Sequence, residues 1–302
     1  MGVPEMTEGM IVKGVGGFYE VWLPERGICI TCKAKGLFRR EKMVPLAGDR
    51  VLVDADRSEP GQGFIEAMLP RRNVFVRPPV ANMDQMVIVL TSSMPPPDLP
   101  LIDKLLIACE LHDIRPLLVI NKIDTAGPGQ VEALVANYAP SGYPMVAISC
   151  KTGEGMAALT NALAGNMAAL AGQSGVGKST LLNALSAEIR METGELSDKI
   201  QRGKHTTRHA ELLPMPGNGW LCDTAGFSNY QLDSVGHEEL DQYYPEFYPE
   251  LEHCRYTGCS HLKETGCAVA EKLEAGLIPQ SRFDTYARFY EELKDRHEHR
   301  YK

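Results

Sequence analysis

Gly172-Gln173-Ser174-Gly175-Val176-Gly177-Lys178-Ser179 is the stretch whose reading decides the fold of this 302-residue chain. It matches G-x-x-x-x-G-K-S, in which glycines let backbone N–H groups curl round a phosphate without Cβ clashes. Residues 165–171 before it read as a strand, and residues 178–189 after it as a helix. The loop needs that order, because the helix N-terminus adds partial positive charge beneath the phosphates. Lys178 can reach the β- and γ-phosphates and so counts as a catalytic candidate. The Ser179 hydroxyl can ligate Mg²⁺, and Thr180 beside it completes the nucleotide-binding set.

Working outward, Asn121-Lys122-Ile123-Asp124 lies upstream of this loop, directly after the strand-like residues 117–120. The Asp124 carboxylate can accept from guanine N1–H and the 2-amino group together. Adenine would leave such a carboxylate unpaired, a mismatch that can discriminate by about 10⁴ or more. Asn121 can bond guanine and tie neighbouring loops together, while the Lys122 stem can cover the base plane. Ser149-Cys150-Lys151, also after a strand, can support the same base through backbone N–H and the Lys151 stem. These motifs point to GTP rather than ATP.

Downstream, Asp223-Thr224-Ala225-Gly226 follows the strand-like residues 220–222. Asp223 can hold Mg²⁺ through water and the Gly226 N–H can sense a γ-phosphate. Within Gly203-Lys204-His205-Thr206-Thr207, Thr207 offers a hydroxyl to Mg²⁺ and the γ-phosphate. These two segments are the expected switches, ordered by GTP and released on hydrolysis. In the usual arrangement the phosphate loop opens such a domain and the base-reading motifs close it; here the order is rotated. Phe227 stands after Gly226, where many GTPases carry a Gln that orients water. Slow intrinsic hydrolysis is expected unless another group or a partner completes the site. His205 is the nearest candidate for that catalytic role, with a plain loop histidine the equal alternative.

Cys254, Cys259, His261 and Cys267 form C-x4-C-x-H-x5-C. Three thiolates and an imidazole make a closed tetrahedral Zn²⁺ site, structural rather than catalytic. Such a site contributes roughly 10–16 kcal/mol of apparent binding free energy, enough to anchor a region with little core. His253 is an alternative ligand with poorer spacing. Cys29-Ile30-Thr31-Cys32 has metal-like spacing, but residues three apart on a strand face opposite ways. Two unrelated thiols are expected there.

Residues 1–75 alternate short β-like runs with turns, which suggests a small closed barrel of OB type. Residues 76–232 alternate strands and helices, the pattern of a mainly parallel sheet. Residues 233–302 read as a charged helical region carrying the Cys/His knot. The fold expected is therefore α/β: a circularly permuted phosphate-loop GTPase domain between an OB-like barrel and a helical zinc-binding domain. Composition is ordinary for a soluble protein, with 44% hydrophobic and 23% charged residues. Residues 1–10 show no basic start followed by an apolar run. No apolar stretch approaches membrane-spanning length. A cytoplasmic monomer with no membrane partner is the expectation. The net charge of −8 argues against a general nucleic-acid coat. RNA contact would have to be local, at Arg39-Arg40 with Lys42, Arg71-Arg72 with Arg77, or Lys199, Arg202, Lys204 and Arg208. Each cluster taken alone reads more simply as solvated loop charge.

Taken together, the rotated motif order, the barrel, Gly203–Thr207, the Cys/His knot and Gly266-Cys267-Ala268-Val269 within it resemble the ribosome small-subunit-dependent GTPase family, RsgA (also called YjeQ). The resemblance spans nearly the whole chain. It implies a GTP phosphohydrolase acting late in small (30S) ribosomal subunit maturation, partnered by rRNA and ribosomal proteins. Hydrolysis of GTP to GDP would be stimulated by the subunit and coupled to release. Gly175 stands where related potassium-dependent GTPases carry Asn, which gives no ground for a potassium requirement. Some members carry a basic N-terminal extension, whereas this sequence starts almost at the barrel. Two other functions compete: a GTP-gated rRNA-binding scaffold whose hydrolysis is incidental, and a self-contained phosphotransferase. No acceptor-activating base accompanies the motifs to favour the latter.

Overall fold

A computed structural model describes residues 6–35, 38, 43–55, 60–76, 78–193, 210–223 and 230–299. The chain forms two compact units. One comprises Met1–Met86, Thr160–Leu170 and Leu182–Phe227; the other comprises Val87–Leu159, Ala171–Leu181 and Ser228–Lys302.

The elements in chain order are β1 (Met6–Val15), β2 (Phe18–Leu23), β3 (Ile28–Ala34), β4 (Arg50–Ala55), β5 (Gln62–Met68), β6 (Val74–Val76), β7 (Pro79–Ala81) and β8 (Gln85–Thr91). They continue with α1 (Leu99–Leu111), β9 (Arg115–Asn121), α2 (Gln130–Tyr138), β10 (Met145–Ala147), α3 (Met156–Leu163), β11 (Met167–Ala171), α4 (Lys178–Thr193), β12 (Glu211–Met215) and β13 (Gly219–Asp223). Three helices end the chain: α5 (Tyr248–Leu251), α6 (Ala268–Glu274) and α7 (Gln280–His299).

In the first unit β1 to β5 close on themselves in the order β1-β2-β3-β5-β4-β1, with β3 and β5 parallel. Closure removes the open sheet edge. β1 serves both sides of the seam. Met6–Met10 pair with β4, Met10–Val15 pair with β2, and the register shifts at Ile11/Lys13. At Gly9 a Cβ would lie 2.5 Å from Val21 Cγ1, so only glycine fits that corner. Ile11, Val21, Leu23, Ile30, Val51, Val53 and Ile65 fill the interior. On β3, Cys32 faces this core and Cys29 faces out, as the alternation of a strand requires. The barrel expected from the spacing of short β runs is therefore present. In the same unit β1 meets β12 at Lys13↔Glu211, and Trp22 packs edge-on against Trp220 at 5.8 Å.

Arg71 and Arg72 do not form a free basic patch. Arg71 Nε and Nη2 donate to the two oxygens of buried Asp49, at 2.7 and 2.8 Å. Arg72 Nη2 donates to Asp84 Oδ1 at 2.6 Å. The remaining clusters, residues 39–42, Arg77 and residues 199–208, lie outside the described residues.

In the second unit β8 and β9 are buried almost throughout, the mark of strands covered on both faces. β9 and β10 pair in parallel, Val119 opposite Val146. The Asp98 carboxylate accepts from Leu101 N at 3.1 Å and caps α1. Almost every residue from Ile102 to Cys109 is buried, including Asp103. That carboxylate belongs to an ionic triad. Arg282 Nη1 of α7 lies 2.5 Å from Asp103 Oδ1, and Arg282 Nε donates to Glu246 Oε1 at 2.6 Å; all three side chains are 1% exposed. Tyr138 and Thr285 hydroxyls also donate to Asp103. The guanidinium stacks over the Tyr244 ring at 4.6 Å. Burial raises the Asp103 carboxyl above its ordinary value even against the Arg282 charge. Arg282 is pushed up instead by its two carboxylates, although burial alone would lower it. Around the triad, Tyr244, Phe247, Tyr286 and Phe289 form the core of the C-terminal region with Ile107 of α1. Among the described residues, no helix is long and apolar enough to cross a membrane.

Removing Arg282 would strand two buried carboxylates. Arg282→Met is expected to cost about 3–5 kcal/mol of stability, measured from the urea midpoint at unchanged slope. A loss below about 1 kcal/mol would mean the carboxylates reach water or protonate at little cost.

Candidate functional site

Three loops separated in sequence meet in the second unit. The turn after β9 carries residues 121–124, the turn after β10 carries residues 149–151, and the loop after β11 carries residues 172–179. β9 and β11 are buried and β10 is half-buried, and each loop is held at its strand's carboxyl end, where ligands of open α/β sheets bind.

Backbone shape explains the glycines. Gly172 has φ +126° and a Cβ there would lie 2.2 Å from Val89 O. Gly177 has φ +98° and a Cβ would meet Asn121 Nδ2 at 2.5 Å. Val176 between them is fully buried and anchors the loop, whereas Ser174, Gly175, Ser179 and Thr180 are exposed.

Asn121 is the hub. It is 2% exposed, and its Nδ2 donates to Val176 O at 2.9 Å. Its Oδ1 accepts from Lys122 N at 2.8 Å and from Cys150 N at 3.3 Å. One amide thus holds all three loops together. Lys122 takes the left-handed conformation, φ +64°, and its ammonium donates to Gly175 O at 2.7 Å and Met94 O at 2.9 Å. Ile123 and Asp124 continue into a short 3-10 turn. Asp124 Oδ1 accepts from the Ser149 hydroxyl at 2.7 Å, and Lys151 Nζ lies 4.0 Å from Oδ2. The base-reading candidates are therefore brought to one place and oriented by neighbours. Lys178 bends over its own loop and donates to Gly172 O at 2.7 Å and Gln173 O at 2.6 Å. Burial lowers its ammonium below the ordinary lysine value. Gln173 reaches out of the loop: its Nε2 donates to Pro96 O at 2.8 Å, and its Oε1 accepts from Asp98 N at 2.6 Å. The sequence places Gln173 among the nucleotide-binding residues of the loop; its bridge to Pro96 and Asp98 carries no local signal beyond an amide with both a donor and an acceptor.

His205, Thr207, Gly226 and Phe227 lie outside the described residues. Of Asp223 the backbone is described, as the last residue of β13.

The Cys/His knot is a second site in the same unit. Cys254, Cys259, His261 and Cys267 bring one ligand atom each within 4.8 Å of the others. Cys254 Sγ lies 3.6 Å from His261 Nδ1 and 4.0 Å from Cys267 Sγ, with Nδ1 3.3 Å from Cys267 Sγ. A tetrahedral Zn²⁺ with ordinary bond lengths needs S···S edges of about 3.8 Å and S···N edges of about 3.6 Å. The donor set therefore fits zinc in both chemistry and spacing. His261 is buried at φ +62°. Its Nε2 faces Asp241 Oδ2 at 3.3 Å, a carboxylate that fixes the tautomer with Nδ1 free to ligate. His253 instead bonds Pro249 O through Nδ1 and stands apart from the four. Burial raises the Cys259 and Cys267 thiols. Deprotonating them needs a cation, so metal uptake should release protons. Hydrogen bonds from Ser260 and Lys263 hold the Glu264 carboxyl down at about 2 in spite of burial, which fastens the same loop.

Comparison with known proteins places this arrangement. A family model described as RsgA GTPase matches residues 68–233, and one described as RsgA N-terminal domain matches residues 8–65. A relative from Ruminiclostridium cellulolyticum, named small ribosomal subunit biogenesis GTPase RsgA, is 44% identical over 294 residues, 96% of this chain and 95% of that protein. One of the same name from Caldanaerobacter subterraneus subsp. tengcongensis is 42% identical over 298 residues, 99% of each. Among solved structures, YjeQ from Thermotoga maritima superposes with a TM-score of 0.83 at 34% identity, over 96% of this chain and 99% of that one. YloQ, described as a circularly permuted GTPase, gives 0.82 at 34% identity, over 97% and 96%.

Two outcomes follow from the geometry. Gly177→Ala should push Asn121 off Val176 O and weaken guanine-nucleotide binding about tenfold, the worth of one good hydrogen bond; fluorescent-nucleotide titration measures it, and unchanged affinity would contradict the hub. The protein should carry one zinc per chain by elemental analysis. Asp241→Asn should lower zinc affinity about 10–100-fold in chelator competition, and an unaltered affinity would remove Asp241 from the site.

Proposed function

The chain belongs to the RsgA family of circularly permuted GTPases, and on that premise we propose that it hydrolyses GTP as a checkpoint late in maturation of the small ribosomal subunit. The relatives' names give that subunit as the object of their biogenesis role. The observation that carries the site reading is the convergence of three loops on the Asn121 amide.

In this reading Asp124, steadied by Ser149, accepts two hydrogen bonds from guanine. Lys151 and the Lys122 stem flank the base, and Asn121 and Ile123 complete the base-reading turn. The backbone N–H groups of residues 172–180 surround the β-phosphate. Lys178 exchanges its bonds to Gly172 and Gln173 carbonyls for phosphate oxygens, so the charge already stands where negative charge develops. Ser179 with Thr207 and Asp223 offers hard oxygen donors suited to Mg²⁺. Bound there, Mg²⁺ would neutralise charge on the β- and γ-phosphate oxygens. Gly226 senses the γ-phosphate, and His205 is the group proposed to orient water in place of the missing Gln. Residues 1–75 would act as the barrel, 76–232 as the GTPase domain and 233–302 as the zinc-binding domain. The barrel and zinc domain would contact rRNA and ribosomal proteins in the GTP state, and hydrolysis would release the factor. Phe227 after Gly226 favours activation in trans, which can accelerate GTPases by about 10³–10⁵-fold. The same residue supports one other reading, a GTP-gated rRNA scaffold whose hydrolysis is incidental.

Steady-state phosphate release by the purified chain decides between them. Strong stimulation by small subunits, none by large subunits and no ATP turnover is the expected pattern. A hydrolysis-dead variant that still leaves small subunits at the normal rate would replace the checkpoint with the gated scaffold.

A further inference from the structure

Gln173 is the member of the phosphate loop that reaches outside it. Its amide holds Pro96 O and Asp98 N with its two ends, and its own carbonyl holds the Lys178 ammonium. Asp98 is the cap of α1. Five residues further along α1, Asp103 enters the buried triad with Arg282 and Glu246. On the same helix Ile107 belongs to the aromatic core of the C-terminal region, and Lys104 Nζ sits over the Phe289 ring at 5.3 Å. In the last turn of α2, Asn137 Oδ1 accepts from the Ser281 hydroxyl of α7. One end of a thirteen-residue helix is thus tied to the phosphate loop. Its body is fastened into the C-terminal region by charges that cannot leave one another cheaply in a dry core. A helix of this length, about 20 Å, transmits a displacement at one end to the other because its backbone bonds are internal.

From this arrangement we propose that Gln173 is a positioning residue for the nucleotide site, and that through α1 it makes Lys178 placement depend on how the C-terminal region is seated. This link runs through α1, and it rests on the phosphate-loop reading above. With the Gln173 amide engaged, Lys178 is held on the Gly172 and Gln173 carbonyls; a shift of α1 would carry Pro96 and Asp98 away from that amide. A partner that grips the C-terminal region would therefore alter affinity for the phosphates without touching them.

The test is a double-mutant cycle on the full chain. Thr285→Val keeps the shape of α7 but removes the hydroxyl that donates to Asp103. Gln173→Ala removes the bridge at the other end. Zinc content and thermal midpoint identify variants that retain their fold, and Tyr138→Phe, which removes the other hydroxyl donor to Asp103, replaces Thr285→Val if that variant misfolds. Dissociation constants for GDP and for a non-hydrolysable GTP analogue are measured for each. Thr285→Val should change the ratio of the two constants by about two- to thirtyfold in the wild-type background, and this change should vanish when Gln173 is Ala. Equal changes in both backgrounds, or none in either, would overturn the link while leaving the nucleotide site intact. Failure of the wild-type chain to bind either nucleotide would overturn the site and the link together.

Discussion

The amide of Asn121 is the constraint on which the nucleotide-facing part of this protein depends. It is buried, and a buried amide with an unmet end costs about 1–3 kcal/mol. Here Nδ2 is met by Val176 O and Oδ1 by two backbone N–H groups from two different turns. The three loops cannot drift apart without exposing that cost. This explains why rotating the order of the motifs along the chain leaves their spatial meeting unaffected. What joins them is a side chain and three strand ends, not the sequence of connections between them. Lys122 reinforces the junction by capping the Gly175 carbonyl.

The C-terminal region solves a different problem. It packs an aromatic core with one long helix, α7, and two short ones, and two devices fasten it. The Cys/His knot closes a loop of fourteen residues, Cys254 to Cys267, around a site shaped for zinc. The Asp103–Arg282–Glu246 triad ties the region to α1. The two differ in sign as stability terms. Metal binding adds free energy outright, whereas a buried ion triad is often no better than an apolar replacement and chiefly punishes alternatives. The triad's contribution is thus to specify where α7 docks. Exposed pairs such as Arg288–Glu292 add little by comparison.

Much of this could be read in the sequence, and the limits have physical causes. β2 lies between Gly17 and Pro24 and β8 ends before Ser92, punctuation that is local in the sequence. The start of α1 is equally local, with Asp98 as its cap and Pro100 in its first turn. The four zinc ligands were separable from His253 by spacing alone. β6 and β7 have three residues each and carry no period, and β12 holds Pro214 inside it, which argues against a strand. The helices α2 and α3 are short, nine and eight residues, which leaves too few turns for a sustained period. The triad was invisible for another reason. Asp103 and Arg282 are 179 positions apart, and in the sequence each looks like an ordinary surface charge on an amphipathic helix. Arg71 and Arg72 make the same point: expected as solvated loop charge, with an RNA patch as the alternative, they pair instead, one with buried Asp49 and the other with Asp84. Charge identity is local information, but charge pairing is a property of the fold.

That distinction bears on how the phosphate loop handles charge. Lys122 and Lys178 both donate to carbonyls of the loop, at Gly175 and at Gly172 and Gln173. The two ammonium groups serve different ends. Lys122 stands outside the loop and is also bound by Met94 O, so moving it would break the junction with the base-reading turn. Lys178 is bound only by the loop it covers among the bonds described, and burial already disfavours its charge. A phosphate oxygen offers it an opposite charge in place of neutral acceptors, adding a Coulomb attraction that the carbonyls lack. The exchange therefore runs downhill for Lys178 and uphill for Lys122. One lysine is free to follow the phosphates while the other keeps the frame in which they are met.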